Sequence, residues 1–438
     1  MWSRTDTALV PAAGGVARGL VMLALVFALA VIGAVEVWAQ PMLALTVLAA
    51  ALIGAWGDAA DRAHHGGAPQ WCLAALALIG VVQLVPLPIA VVKLISPATA
   101  AWWQWSLPAA GACPLRLYPG ATRVAVGRIV TFALAFSVFA RVTRVRDARR
   151  AGAILAAIGV LAAAMSVVDW WGGFGWWQYH AREAVVPGRL AGPFVNPNHF
   201  ASFLGLIVGL LIACRASRPT LARTLARHAA LVIVALALAL TGSRLGLAVV
   251  AAAVLIALVL EPRARRAPLL AVVGVLLIGV VLVRSPWCAR VDGLAAGDGR
   301  SRVMLLHSVA ALSRDFIAAG SGLGTFAHLF PAYQPVSLRG TWDHAHNDLL
   351  ELLVDGGVLA AVLALAFVAT WYRRQLRSLA SLSVRRRAML VGLIAGSSAL
   401  LLHSMGDFPL QIPANALLLA AMMGMADGLS RSARSARA

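Results

Sequence analysis

AALVIVALALALTGSRLGLAVVAAAVLIALVL, residues Ala229 to Leu260, holds twelve apolar residues, then TGSR, then sixteen residues with no charge or strongly polar side chain. Crossing a hydrocarbon core of about 30 Å takes about 20 residues per helix. Four residues are too few to make good that shortfall outside the membrane. The stretch is therefore predicted to be two antiparallel spans, with Thr241, Gly242, Ser243 and Arg244 drawn down to the level of one leaflet. An arginine at that depth is costly unless it snorkels, faces water or meets an anion. Arg244 lies near the end of its span, so snorkelling and an anion site both remain open.

The rest of the chain repeats the pattern. Its 438 residues are 61% hydrophobic and only 12% charged. A soluble domain would carry about twice that charge. Twelve spans are predicted, near residues 17–37, 40–57, 71–92, 123–141, 150–169, 198–214, 228–241, 244–260, 268–284, 354–372, 388–404 and 408–427. The expected fold is an all-α polytopic membrane protein, one integral membrane domain over 1–438. The first span is too long for a signal-peptide core and more spans follow it, so it is read as retained.

A net charge of +20 could suggest nucleic acid. The basic residues instead fall in short clusters between spans, the pattern of an orientation signal. No basic face interleaved with aromatics on a soluble module is visible, so nucleic acid is not expected as a partner. Placing both termini in the cytoplasm puts 24 of the 37 basic residues on the inner side. The remainder fall mostly in long outer connections, where charge counts less. The largest of these, 285–353, lies between spans nine and ten. Within it, Leu305, Val309, Leu312 and Phe316 make a helical stripe. The GSGLG that follows, Gly320 to Gly324, reads as a turn; it lacks the preceding strand and the Lys-Ser/Thr of a nucleotide loop.

Four stretches at expected outer ends carry chemistry-bearing residues. WDHAHNDLLELLVDGG, Trp342 to Gly357, has Asp348 and Glu351 at capping-box spacing, so a helix is predicted to start at Asp348. The lipid-compatible run begins only near Gly356, about 12 Å further along the helix at its ordinary rise. His346 is then placed over the membrane, partly wet and able to accept a proton near pH 7. A capped interfacial helix with an idle histidine is the alternative. GRLAGPFVNPNHFASFL, Gly188 to Leu204, gathers Arg189, Asn196, Asn198 and His199 before a span. Asn198 is a possible N-cap whose exposed amides favour an anion; an Asn-Pro turn before a capped helix explains the same residues without a ligand. YPGATRVAVGRIV, Tyr118 to Val130, brings Arg123 and Arg128 in on different faces of a helix. TGSR supplies Arg244.

Together these place several arginines and one candidate base at one membrane face. An arginine fork suits phosphate oxygens, so a phosphate-bearing lipid and a proton transfer are suggested. Asp343, His344 and His346 match no zinc spacing, and neither a metal nor a cofactor is expected. Ser243 has no nucleophile elbow around it. Cys113 and Cys288 both lie in outer connections, and whether they form a disulfide is open.

Three of these stretches, GRLAGPFVNPNHFASFL, TGSR with the LGL after it, and WDHAHNDLLELLVDGG, together with SRVMLLHSVAALSRDFIAAGSGLGTF (Ser301 to Phe326) in the large loop, resemble the O-antigen ligase and Wzy-type polymerase family of bacterial polysaccharide synthesis. The resemblance covers roughly residues 120–410, and His346-Asn347 before the Leu-rich helix is its most specific part. It implies a GT-C-like glycosyltransferase in the bacterial inner membrane, with its site facing the periplasm. It implies a donor glycan on undecaprenyl pyrophosphate, an acceptor hydroxyl, and no metal. Carried onto this sequence, His346 would be the base. Arg244 and Arg189 would bind pyrophosphate, with Arg123, Arg128 and Arg302 as further cations. Asn347, Asn196, Asn198 and His199 would position groups. The expected acceptor is lipid A-core, as for a ligase. A lipid-linked repeat, as for a polymerase, is the alternative, and a lipid-linked glycan flippase is a reading of another class.

Overall fold

The computed structural model describes residues 6–57, 67–142, 144–177, 188–214, 220–261 and 286–435, with side chains left out at 6–12, 286–300 and 432–435. In chain order the main helices are α1 (Asp6–Ala30), α2 (Ala39–Gly57), α3 (Ala68–Leu84), α4 (Ile89–Ile95) and α5 (Pro97–Ser106). There follow α6 (Pro119–Ala140), α7 (Val145–Gly172), α8 (Pro197–Ala213), α9 (Leu221–Leu240) and α10 (Arg244–Leu260). The last are α11 (Pro286–Phe316), α12 (Phe326–Leu329), α13 (Asp348–Leu379), α14 (Val384–His403) and α15 (Pro413–Ser435). A two-stranded antiparallel ribbon, β1 (Pro86–Pro88) on β2 (Ala112–Pro114), is a small departure from the all-helical expectation.

Six of the described helices, α1, α2, α6, α7, α9 and α13, are long and apolar enough to cross a membrane. Three shorter apolar helices, α3, α8 and α10, have 17 residues each. Eleven of the twelve expected spans fall on helices. The remaining one, the ninth at 268–284, lies outside the described residues, as does the side chain of Cys288, so the pairing of Cys113 is not tested. The third expected span ends early, at Leu84 rather than 92, because Pro86 and Pro88 cannot continue a helix and turn the chain into β1.

The helices sort by burial. α8, α14 and α15 form the centre: α8 is buried along nearly its whole length and packs mainly on α14. That crossing needs small residues. A Cβ on Gly209 would meet the backbone of Gly396 at 2.3 Å, and one on Gly392 would meet that of Ala213 at 2.3 Å. Small residues let two backbones approach where packing rather than water drives association. On the outer helices, large apolar side chains such as Leu23, Leu45, Leu161 and Val259 are exposed, as helices surrounded by hydrocarbon require.

The stripe Leu305, Val309, Leu312 and Phe316 is buried as expected, against Phe326, Phe330 and Val354. GSGLG is a turn, and it is wedged into a break in α13. Gly357 has φ 73° and ψ −177°, a backbone state open only to glycine. The break frees helix carbonyls, and the turn satisfies them: Ser321 N donates to Val354 O (2.9 Å) and Gly322 N to Asp355 O (3.0 Å). Gly324 N donates to Asp355 Oδ2 (2.7 Å), and Gln83 at the end of α3 donates to Asp355 O and Ala319 O. The α13 segment before the break, with the residues leading into it, is thereby fixed against both the loop and the bundle.

Candidate functional site

Asn347 sets the start of α13. Its Oδ1 accepts from Leu349 N (3.1 Å) and Leu350 N (3.0 Å), and its Nδ2 donates to Met405 O (2.9 Å). The helix begins at Asp348 as expected, but the cap is Asn347 and there is no capping box. Glu351 instead accepts from Ala345 N (2.9 Å) and stands 2.8 Å from His344 Nδ1. Asp348 N donates to Ser404 O, and Leu410 N donates to Asp348 Oδ2. The α14–α15 connection, 404–412, is thus stitched to the start of α13.

That stitching delivers Asp407 to His346: the His346 Nδ1 to Asp407 Oδ1 distance is 3.1 Å. With Nδ1 donating to the carboxylate, Nε2 is the ring atom that accepts a proton. The imidazole is about 20% exposed and Asp407 only 1%. His346 also has φ +50°, left-handed backbone that a non-glycine residue adopts rarely and at some cost. Burial by itself would raise the Asp407 carboxyl, but the hydrogen bond from His346 and the neighbouring imidazoles of His346 and His199 hold it well below the usual carboxylate range. Nε2 of His199 stands 3.8 Å from the same Oδ1. The Phe408 ring touches all three imidazoles, stacked on His344 (centroids 4.2 Å apart) and edge-on to His199 (4.6 Å) and His346 (4.9 Å).

The Gly188–Leu204 stretch joins through His199. Its N-cap is Asn196, which accepts from Asn198 N (2.8 Å); Pro197 follows at the first helical position and moves the cap two residues before the expected Asn198. Asn198 Oδ1 accepts instead from Arg189 Nη2 (3.0 Å), while Arg189 Nε donates to Thr241 O (2.7 Å). Arg189 therefore clamps the TGSR turn to the start of α8. Ser243 caps α10 by accepting from Gly246 N, and Arg244 is exposed in the first turn. Arg302 is half-buried and within electrostatic reach of His403, which is itself within reach of Asp407.

Residues 229–365 match the O-antigen ligase family model. The chain carries an O-antigen ligase family domain. The matched domain contains the TGSR turn with Arg244, the 301–316 helix with Arg302, and His344, His346, Asn347 and Glu351. Arg123, Arg128, Arg189, Asn196, Asn198, His199 and Asp407 lie beyond the O-antigen ligase match, and of these Asp407, His199 and the Arg189–Asn198 clamp join the site through the fold. No curated protein matches the chain.

The other expected cations separate. Arg123 is exposed, near Arg116. Arg128 turns inward: its Nε donates to Gln40 Oε1 (3.0 Å), and Glu351 is within its electrostatic reach. It lines a cavity of about 750 Å³ that also contains His344, Glu351 and Asp343 and is otherwise largely apolar. Among the described residues no group of three or more His, Cys, Asp or Glu is arranged to hold a metal. Asp407, His403 and the His344–Glu351 pairing were missed from sequence. Their only advance signal was an aspartate in the three-residue turn expected between the last two spans, where an acid is costly without a role.

Proposed function

We propose that the protein is a membrane glycosyltransferase of the bacterial inner membrane, moving a glycan from undecaprenyl pyrophosphate to an acceptor hydroxyl at the periplasmic face. The observation that carries this is the His346–Asp407 pair: a partly exposed imidazole within the O-antigen ligase match, its Nδ1 held by a buried carboxylate from beyond that match. His346 Nε2 takes the acceptor hydroxyl proton as that oxygen attacks the anomeric carbon and the bond to pyrophosphate breaks. Asp407 fixes the ring and stabilises the imidazolium that forms. Arg244, presented by the Arg189-clamped turn, and Arg302 offset the charge developing on the departing pyrophosphate. No step calls for a metal or a covalent enzyme intermediate. Lipid A-core is the first acceptor, as for a ligase; a lipid-linked repeat, as for a polymerase, is the alternative.

The test is transfer by purified protein in EDTA, with lipid-linked glycan as donor and each acceptor supplied separately, alongside His346→Ala. Product on lipid A-core that is lost in the variant supports the ligase. Lengthened lipid-linked chains, also lost in the variant, support the polymerase. An active wild type with an equally active variant would overturn the base.

A further inference from the structure

His344 and His346 are two residues apart. In an extended chain they would point the same way. The left-handed backbone at His346 breaks that alternation, and the two imidazoles reach different carboxylates from different aspects of the Phe408 ring. Asp407 holds His346, while Glu351 holds His344, with Oε1 2.8 Å from Nδ1 and Oε2 receiving Ala345 N. His344 and Glu351 line the 750 Å³ cavity; His346 is not among its described lining residues.

The cavity has two ends of different chemistry. His344, Glu351 and Asp343 lie at or before the first turn of α13. Phe367 and Val368, also in its wall, lie 16 and 17 residues beyond Glu351, past the break in α13 at Gly357. Phe132, Phe136 and Met423 complete that far end. A long apolar shaft under a polar mouth fits a hydrocarbon chain bearing a polar head. The mouth is not built for an anion alone, since the carboxylates of Asp343, Asp348 and Glu351 line it. Carboxylates and a neutral imidazole are instead acceptors for hydroxyl donors. With His344 Nδ1–H turned to Glu351, Nε2 is the ring atom left to accept.

We propose that the His344–Glu351 pair is a sugar-binding subsite, accepting a hydroxyl of a glycan whose hydrocarbon carrier lies in this cavity. This rests on the proposed function for the kind of lipid, but assigns His344 a substrate contact separate from the base.

The test compares binding of undecaprenyl pyrophosphate, bare and carrying the glycan extracted from the producing cells, to the full chain in nanodiscs by native mass spectrometry. The wild type is expected to prefer the glycan-bearing lipid. His344→Ala is expected to lose that preference by about tenfold or more while still taking up the bare lipid. His344→Gln, which restores an acceptor oxygen and keeps bulk, is expected to recover part of it. In turnover, the alanine variant raises KM for the lipid-linked glycan and keeps the shape of the pH profile. Unchanged lipid preference in both variants would overturn the subsite. So would a fall in kcat at constant KM with loss of the profile's acid limb, which would make His344 the base. Preference for the glycan-bearing lipid that depends on His344, in a protein that transfers to no acceptor, would sink the proposed function and leave the subsite standing.

Discussion

His346 and Asp407 are 61 positions apart in sequence and 3.1 Å apart in space, joined because Asn347 and Asp348 tie the start of α13 to the 404–410 turn. A histidine base whose far nitrogen is held by a buried carboxylate depends on that partner for tautomer and orientation. Asp407→Asn keeps the size and removes the charge. It is expected to lower kcat by about 10²–10⁴-fold, the range seen when such a carboxylate is neutralised or a general base is lost, with little change in KM. Steady-state transfer assays check this, and a kcat within twofold of wild type would remove Asp407 from the mechanism.

The same carboxylate makes stability depend on pH. In the fold the Asp407 carboxyl is held well below its ordinary range by His199 and His346, against the opposing effect of burial. A depressed carboxyl contributes stability that is complete above its unfolded value of about 3.9 and is lost as the pH falls through the folded value. Thermal melts of wild type and Asp407→Asn in detergent are expected to differ most above about pH 5 and to converge below about pH 3. A gap that stays constant across that range would mean the pair carries no net linkage.

Much of this architecture can be read from apolar run length, because hydrocarbon leaves helices few alternatives. The Ala229–Leu260 hairpin and the Leu305–Phe316 stripe follow directly from pattern. What pattern could not reach was pairing across the chain. Asp407 lies in a short turn that says nothing about His346, and Glu351 looked like a capping residue until the loop brought His344 to it. The caps were misplaced by one or two residues, at Asn347 and Asn196, because neighbouring Asn and Asp compete for the same role and only backbone geometry decides between them.

Asn347 performs two tasks, capping α13 and binding Met405 O. Asn347→Ala is expected to cost about 1 kcal/mol or more from the cap and to reduce kcat through the misplaced His346. Asn347→Asp keeps the cap acceptor and loses the donor to Met405. It is expected to recover stability more fully than activity. Equal recovery of both would show that the Met405 bond does not position the site.

The α8–α14 crossing makes a sharper demand. A side chain at Gly209 would drive into the backbone of Gly396. Gly209→Leu is expected to prevent folding or to lower the melting temperature far beyond the ~1–3 kcal/mol of ordinary overpacking, because backbone cannot yield as a side chain does. Gly127, where an added Cβ meets nothing, is the control. Size-exclusion profiles in detergent distinguish the two, and a monodisperse, stable Gly209→Leu would refute the packing.

Arg189 and Arg244 separate support from contact. Arg189 Nε and Nη2 hold Thr241 O and Asn198 Oδ1, on two elements at once, a task for a planar fork that a lysine ammonium cannot reproduce. Arg189→Lys keeps the charge, so a purely electrostatic role predicts near-normal transfer, whereas a clamp predicts a loss close to that of Arg189→Ala. We expect the second. Arg244→Lys, at the exposed cation proposed to meet pyrophosphate, is expected to retain substantially more activity than Arg244→Ala. Measuring kcat and KM for the lipid-linked donor in all four variants decides between the roles. Full activity in Arg189→Lys would return that residue to direct phosphate binding and loosen the link drawn from the TGSR turn through α8 to His346.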